Sequence, residues 1–389
     1  MIQNSRSGDS FALRAAIFYA ASYVLLGVHL PFFPVWLQST GFDAGQVGAI
    51  LAGTALLRVV SVPVATRAAD RGFGLRPTII AFAMVTALAF TALGVVSGPV
   101  LIVALTALAA FAHTPSAALQ DAYTLRGLRA RGGGYGPIRL WGSIFFVLAN
   151  FGAGVAFDLI ETRHLIWLIA GAAIATAIVA TQLTPLPPAP VNLDASAPIR
   201  PFWREPRFLA VVMAASLIQS SHAVYYGFST ITWKAAGFDG VAIGALWALG
   251  VIAEIALFAL SGRLPPAFGP IPLIIIGGIG GAIRWAGLAF DPTGWSLPFL
   301  QLLHALSFGA SHLGAVAYIA HAAPEGRGAT ALGYFSVLGG VTFSICMLLA
   351  GSLYESVGAA AYGAMAIIAF LGAMIALSVW MRMPAPDSR

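Results

Sequence analysis

Apolar stretches of about 20 residues follow one another along the whole chain, with short breaks rich in Gly, Pro, Asp and Arg between them. A helix of about 20 apolar residues crosses the roughly 30 Å hydrocarbon core of a bilayer. A closed barrel would show alternation over segments of about ten residues, and this chain shows none. The pattern therefore predicts an all-α integral membrane protein. Its twelve transmembrane helices fall at 13–38, 44–66, 76–97, 99–124, 137–158, 163–182, 207–233, 241–262, 271–290, 297–321, 328–351 and 358–381. Asp43 and Asp239 suit the N-caps of the second and eighth spans, and Gln46 completes a capping box in the first of these.

One stretch occurs twice. Gly41–Arg58 and Gly237–Glu254 match at Gly41/Gly237, Phe42/Phe238, Asp43/Asp239 and Gly48/Gly244, at a constant offset of 196 in a chain of 389. The position of Arg58 in the first copy is Glu254 in the second. A repeat at half the chain length reads as a duplicated bundle. The longest polar break, 183–206, is rich in proline and reads as an extended linker. The expected organisation is a six-helix bundle over 1–182, a cytoplasmic linker, and a pseudo-symmetric six-helix bundle over 207–389.

Composition agrees: 59% of residues are hydrophobic and 9% charged, against roughly 25% charged in soluble domains. The net charge of +6 does not imply nucleic acid, because its arginines fall in alternate loops. Arg67, Arg71 and Arg76, then Arg126, Arg129 and Arg131, then Arg200, Arg204 and Arg207 lie on one side, with Arg263, Arg327, Arg382, Arg6 and Arg14; Arg163 and Lys234 lie on the other. The positive-inside rule puts both termini in the cytoplasm. The first span is too long for a signal-peptide core and is read as retained. All basic residues but Lys234 are arginine, as in GC-rich bacterial genomes, so the expected location is the inner membrane. The lone Cys346 excludes an internal disulfide. No metal-ligand spacing, phosphate loop or nucleophile elbow occurs; neither a cofactor nor an enzyme activity is expected.

Charge inside the membrane carries the candidate chemistry. An ionisable side chain at the bilayer centre costs about 2.5–3.5 kcal/mol on insertion scales, yet Arg58, Asp121, Arg139, Glu254, Arg284 and His304 fall within spans or at their edges. Glu254 and Arg284 are each 15 residues from the centre of the loop near Gly269, and Arg284 and His304 each ten from the loop near Gly294. At about 1.5 Å per residue the three share one depth on successive helices, where they form either a relay or a structural ion pair. Asp121 and Arg139 lie nine residues either side of Ala130 and are placed to meet. The tenth span is polar on one side, with Gln301, His304, Ser307, Ser311 and His312, and histidine suits proton coupling. His29, His113 and His222 are read as packing residues. Trp141, Trp247, Tyr225 and Tyr226 could stack on a ring, although such residues more often pack or anchor at the interface.

Several stretches carry a family resemblance. Pro31–Leu37, PFFPVWL, is similar to the first-helix signature of the lactose permease and its relatives. Ala69-Asp70-Arg71-Gly72 resembles the superfamily loop between spans two and three, without its leading glycine and trailing basic pair. Tyr135–Ser143 and Gln301–His312 resemble the start of span five and span ten of the phenylpropionate-permease branch. The chain thus resembles the major facilitator superfamily over nearly its whole length. The resemblance implies that Asp121 and Arg139 bind substrate, that Glu254, Arg284 and His304 couple it to protons, and that Asp70 and Arg71 belong to a conformational loop. It places Ser307 where the permease has its main protonated carboxylate, so Glu254 or His312 is expected to take that role. Phe146 stands where the permease has a stacking tryptophan, which argues against lactose.

The expected function is proton-coupled uptake of a small organic solute by alternating access in a monomeric carrier. The arginines suit a carboxylate or a hydroxyl-rich molecule; an aromatic acid such as 3-phenylpropionate comes first, a sugar or nucleoside second. A drug antiporter is disfavoured because 142–158 lacks a glycine–proline motif. A non-transporting membrane sensor and a haem or metal enzyme are the alternatives of another class; His304 and His312 share a helix and make poor opposed axial ligands.

Overall fold

The computed structural model describes residues 2–131, 134–186, 205–263, 265, 268–323 and 328–383. Most of the expected linker and the arginines Arg200, Arg204 and Arg327 lie outside the described residues. Among those described there is no strand. The helices are α1 (Ile2–Ser39), α2 (Ala44–Ala68), α3 (Leu75–Leu93), α4 (Pro99–His113), α5 (Ser116–Arg131), α6 (Tyr135–Leu159), α7 (Leu165–Thr181), α8 (Pro206–Ser220), α9 (Ala223–Ala235), α10 (Gly240–Leu260), α11 (Pro270–Ala289), α12 (Ser296–Leu302), α13 (Ser311–Ala322), α14 (Gly328–Val357) and α15 (Tyr362–Met381).

Among the described residues, eleven helical stretches are long and apolar enough to cross a membrane. One of them, Ala331–Met381, runs for 51 residues and contains α14, a 3₁₀ turn at Gly358–Ala361, and α15. Three stretches are interrupted. Thr114 and Pro115 separate α4 from α5, where proline removes a donor. Ser221 and His222 separate α8 from α9, and a π-helical turn at Ala305–Ala310 leads into α13.

Both copies of the repeat begin in the same way. Gly41 and Gly237 sit at φ +100° and +89°, a left-handed turn that glycine takes without a Cβ penalty. Asp43 Oδ1 then accepts from Gln46 N at 2.7 Å while Gln46 Oε1 accepts from Asp43 N at 3.1 Å. In the second copy Asp239 Oδ1 accepts from Ala242 N at 2.7 Å; alanine at the third position leaves the box one-sided.

Contacts divide the chain into two units. The first contains α1 to α7 together with Trp233–Ala248; the second contains the helical residues from Pro206 to Thr232 and the chain from Leu249 on. In the first unit α1 packs on α6 and α7, and α3 on α4 and α7. In the second, α11 packs on α13, α15 and the π turn, and α8 on α14 and α15, around Val211, Ala214, Ile218, Ile274, Ala315 and Ala376. Glycines on α11 permit this closeness. A Cβ at Gly277 would lie 2.7 Å from Ser311 Cβ, one at Gly278 2.7 Å from Ala373 Cβ, and one at Gly280 2.7 Å from Leu306 Cβ. Small residues replace the hydrophobic drive that is absent between helices in lipid. Gly278→Leu is therefore expected to destabilise the second unit by about 1–3 kcal/mol or more, read as a lower unfolding temperature of the purified protein. Gly53→Leu, on an open face with nothing within 4 Å, should leave that temperature unchanged.

Candidate functional site

Arg284 is the centre of a polar cluster inside the second unit. It lies on α11, which glycines hold against its neighbours, and its side chain is fully buried. Nη1 donates to His304 Nδ1 at 2.8 Å and to Ser307 Oγ at 3.2 Å, and Nη2 donates to Gln301 Oε1 at 2.8 Å. The guanidinium carbon also sits 4.5 Å from the ring centroids of Tyr225 and Trp285. Three hydrogen bonds and two aromatic faces offset the desolvation of the cation. Arg284 Nε and Gln301 Nε2 have no hydrogen-bond partner among the described residues. Each such buried donor costs about 1–3 kcal/mol, so the cluster is not built for stability alone.

The partners fix the protons. Arginine donates only, so His304 Nδ1 is its acceptor and the neutral ring carries its hydrogen on Nε2. That nitrogen lies 3.5 Å from Glu254 Oε2. A neutral imidazole thus bridges a buried guanidinium and a carboxylate. On the other side His222 Nδ1 lies 3.1 Å from the Gln219 carbonyl, and so donates to it. Its Nε2 then accepts from Ser307 Oγ at 3.3 Å, and the same oxygen accepts from Arg284. In this series His304 thus links Arg284 to Glu254, and His304, Ser307 and Gln301, to which Arg284 donates, are neutral groups.

Hairpin arithmetic along the sequence brings Glu254, Arg284 and His304 to one depth, and the structure brings them into contact. The series contains other members that periodicity does not reveal. His222 looks like a packing histidine in the sequence, yet it touches Ser307, and its ring centroid lies 5.6 Å from that of His304. Its position at the α8–α9 break is a signal, because a polar Gln219–His222 run interrupts an apolar span. Tyr225 contributes through Arg284, as does Gln301, which the polar side of the tenth span already groups with His304. His312 continues a column of rings: His304 stacks on Phe308 at 5.2 Å, and Phe308 on His312 at 5.7 Å.

A second cluster lies in the first unit. Asp121, on α5, accepts from the hydroxyl of Tyr19 in a short hydrogen bond and from Tyr135 Oη at 2.9 Å. Arg139, on α6, lies 4.4 Å from the Tyr23 ring centroid and 5.9 Å from that of Tyr19, with Nη1 3.4 Å from Ser143 Oγ. The two charges share Tyr19 as a neighbour but form no direct ion pair within 4.0 Å. The tyrosine hydroxyls take the carboxylate, and most of the arginine's planar donor fork remains uncommitted among the described residues. Half-buried, the fork matches the geometry of a carboxylate.

The other expected residues make none of the hydrogen bonds or ion pairs described for these clusters. Trp141 is exposed and tilts toward Phe145 at 6.2 Å. Phe146 is buried, and its carbonyl lies 2.9 Å from where a Cβ of Gly27 would stand. Arg58 is exposed on α2. Asp70 is exposed in a π-helical turn over Ala69–Phe73; the side chain of Arg71 lies outside the described residues. Among the described residues no group of three or more His, Cys, Asp or Glu could hold a metal.

The chain matches the model of the MFS_1-like family over residues 12–365. It is 31% identical over 371 residues to the probable 3-phenylpropionic acid transporter of Escherichia coli K12, covering 91% of this chain and 94% of that one. It is 26% identical to the maltose permease of Geobacillus stearothermophilus, covering 87% and 86%. Its fold is that of the solved nucleoside transporter NupG, at a TM-score of 0.80 and 16% identity over 96% of this chain and 100% of that one. An auto-inhibited peptide transporter of the POT family aligns at a TM-score of 0.75 and 13% identity over 97% and 98%.

Proposed function

Since the chain belongs to the MFS_1-like family, we propose that this multi-pass membrane transporter is a proton-coupled importer working by alternating access. Its first candidate substrate is an aromatic acid such as 3-phenylpropionate, the compound named for the relative at 31% identity. A sugar is the second reading, favoured by the maltose permease relative. Twelve spans follow if Ala331–Met381 crosses twice. Its 51 residues, at about 1.5 Å each, are roughly two and a half times what one crossing of the hydrocarbon core requires. Two six-helix halves, 1–182 and 207–389, joined by 183–206 in an inner membrane with both termini in the cytoplasm, complete the proposal. The carrier acts as a monomer.

The observation that carries the reading is the neutral His304 bridging buried Arg284 and Glu254. When ionised, Glu254 accepts from His304 Nε2–H, which keeps the Nδ1 lone pair on Arg284. A proton taken up by Glu254 removes its charge and weakens that bridge, loosening Arg284 from its shell. Glu254 thereby replaces the carboxylate for which Ser307 stands. Arg139 supplies the fork for the substrate carboxylate. A sugar would use the same donors through its hydroxyls.

Uptake of labelled 3-phenylpropionate into proteoliposomes tests this. With acid outside, the label should accumulate above its external concentration, and a protonophore should abolish the accumulation. Inhibition by excess maltose would favour the second reading. An absence of gradient-driven uptake of 3-phenylpropionate, maltose and nucleosides alike would overturn the proposal.

A further inference from the structure

Asp158 stands where helix physics disfavours it. It lies in the last turn of α6, at the end of a helix whose dipole repels negative charge. Its carboxylate serves another helix instead. Oδ1 accepts from Gly240 N at 2.7 Å and Oδ2 from Val241 N at 3.3 Å, at the start of α10. Asp239 provides the ordinary cap, its Oδ1 accepting from Ala242 N at 2.7 Å and its carbonyl from Ile243 N at 3.0 Å. The two carboxylates together satisfy the N–H groups of Gly240, Val241 and Ala242, three of those that a helix start leaves open, while the Asp239 carbonyl takes the ordinary first helical bond from Ile243. A residue that breaks a local rule in order to serve a distant element is a mark of function.

The surrounding contact is backbone against backbone. A Cβ at Gly154 would lie 2.1 Å from Gly240 O, one at Gly240 2.2 Å from Gly154 O, and one at Gly244 2.5 Å from Asn150 O. Lys234 adds its ammonium over the Phe157 ring at 3.9 Å and reaches Thr162 Oγ1 at 3.3 Å. All of these residues are in the first unit, which takes up 233–248. α10 then passes into the second unit at Leu249 and presents Glu254 to His304. The helix α10 thus has Asp158 at its start and the proposed proton carrier, Glu254, further along its sequence. The contact suits repeated making and breaking: its surfaces are glycine faces, and Asp158 is exposed, so water can replace both bonds.

We propose that Asp158 is a releasable latch, a positioning residue that holds the start of α10 on α6 in one state of the transport cycle and lets it go in another. The proposal rests on the transporter reading, but its readout requires no substrate. Spin labels on Arg163→Cys and Ala236→Cys, in a Cys346→Ala background, report the separation of these segments in lipid nanodiscs. The parent protein should show a dominant short distance. Asp158→Ala should move at least a threefold larger population to a longer distance, while Asp158→Asn, which keeps an accepting oxygen, stays near the parent. Gly154→Val, which wedges α6 from α10 without touching the acid, should give the same longer distance in folded protein. An Asp158→Ala distribution that superimposes on the parent's would overturn the latch. So would a Gly154→Val protein that unfolds or keeps the short distance, since the contact would then be a fixed part of the fold. Uptake by the parent protein, measured separately, distinguishes a failed latch from a failed transporter reading.

Discussion

Glu254→Gln is expected to stop proton-driven accumulation while leaving substrate exchange intact. The amide has nearly the shape of the protonated acid and still offers an oxygen to His304 Nε2, 3.5 Å away in the wild type. It cannot lose or gain the proton. A carrier held in the protonated form still binds and exchanges substrate, but a pH gradient no longer drives it uphill. Accumulation in proteoliposomes should fall by at least about tenfold, corresponding to about 1.4 kcal/mol of lost driving force. Counterflow of labelled against unlabelled substrate should stay within about twofold of wild type and lose its pH dependence. A variant that accumulates as the wild type does would remove Glu254 from the proton path.

Replacing Arg284 should have the larger effect on the protein as a whole. Arg284→Ala strands His304, Ser307 and Gln301 in a buried site and leaves a cavity beneath Tyr225 and Trp285. Breaking a buried charged network in this way costs about 3–5 kcal/mol, which should be visible as a lower unfolding temperature. Arg284→Lys separates charge from geometry. The ammonium keeps the positive charge, but it is a point donor that cannot reproduce a planar fork held between two rings. Uptake by the lysine variant should fall about a hundredfold, the equivalent of about 2.7 kcal/mol, in protein that elutes and melts as a folded species. Near-normal uptake by that variant would show that charge alone suffices and that the bonds to His304 and Ser307 are incidental.

The all-helical membrane character was legible in the sequence because a membrane admits few backbone solutions, while eleven membrane-capable stretches stand among the described residues against twelve expected spans, Ala331–Met381 running as one. The expected second span, 44–66, and the helix found, Ala44–Ala68, differ by two residues at one end. Glu254, Arg284 and His304 were legible for the same reason: an ionisable group is conspicuous in an apolar run, and helical rise converts sequence distance into depth. What depth does not give is direction around the helix axis. Asp121 and Arg139 stand at equal distances from one loop in the sequence, yet Tyr19 and Tyr135 take the carboxylate, and nothing in the periodicity of α1 marks Tyr19 as a partner. His222 was hidden because histidine beside aromatic residues in an apolar span most often packs. Asp158 was hidden because its partners are backbone N–H groups 82 positions away, which leave no mark in side-chain pattern.

The account depends on a proton entering with each substrate through Glu254. Its most direct test is a pH electrode in a lightly buffered suspension of proteoliposomes. Adding 3-phenylpropionate or maltose to wild-type vesicles with no imposed gradient should make the external medium alkaline as protons follow the substrate inward, and Glu254→Gln vesicles should give no such shift. Labelled substrate entering wild-type vesicles with no alkalinisation, or equal alkalinisation by both proteins, would contradict it.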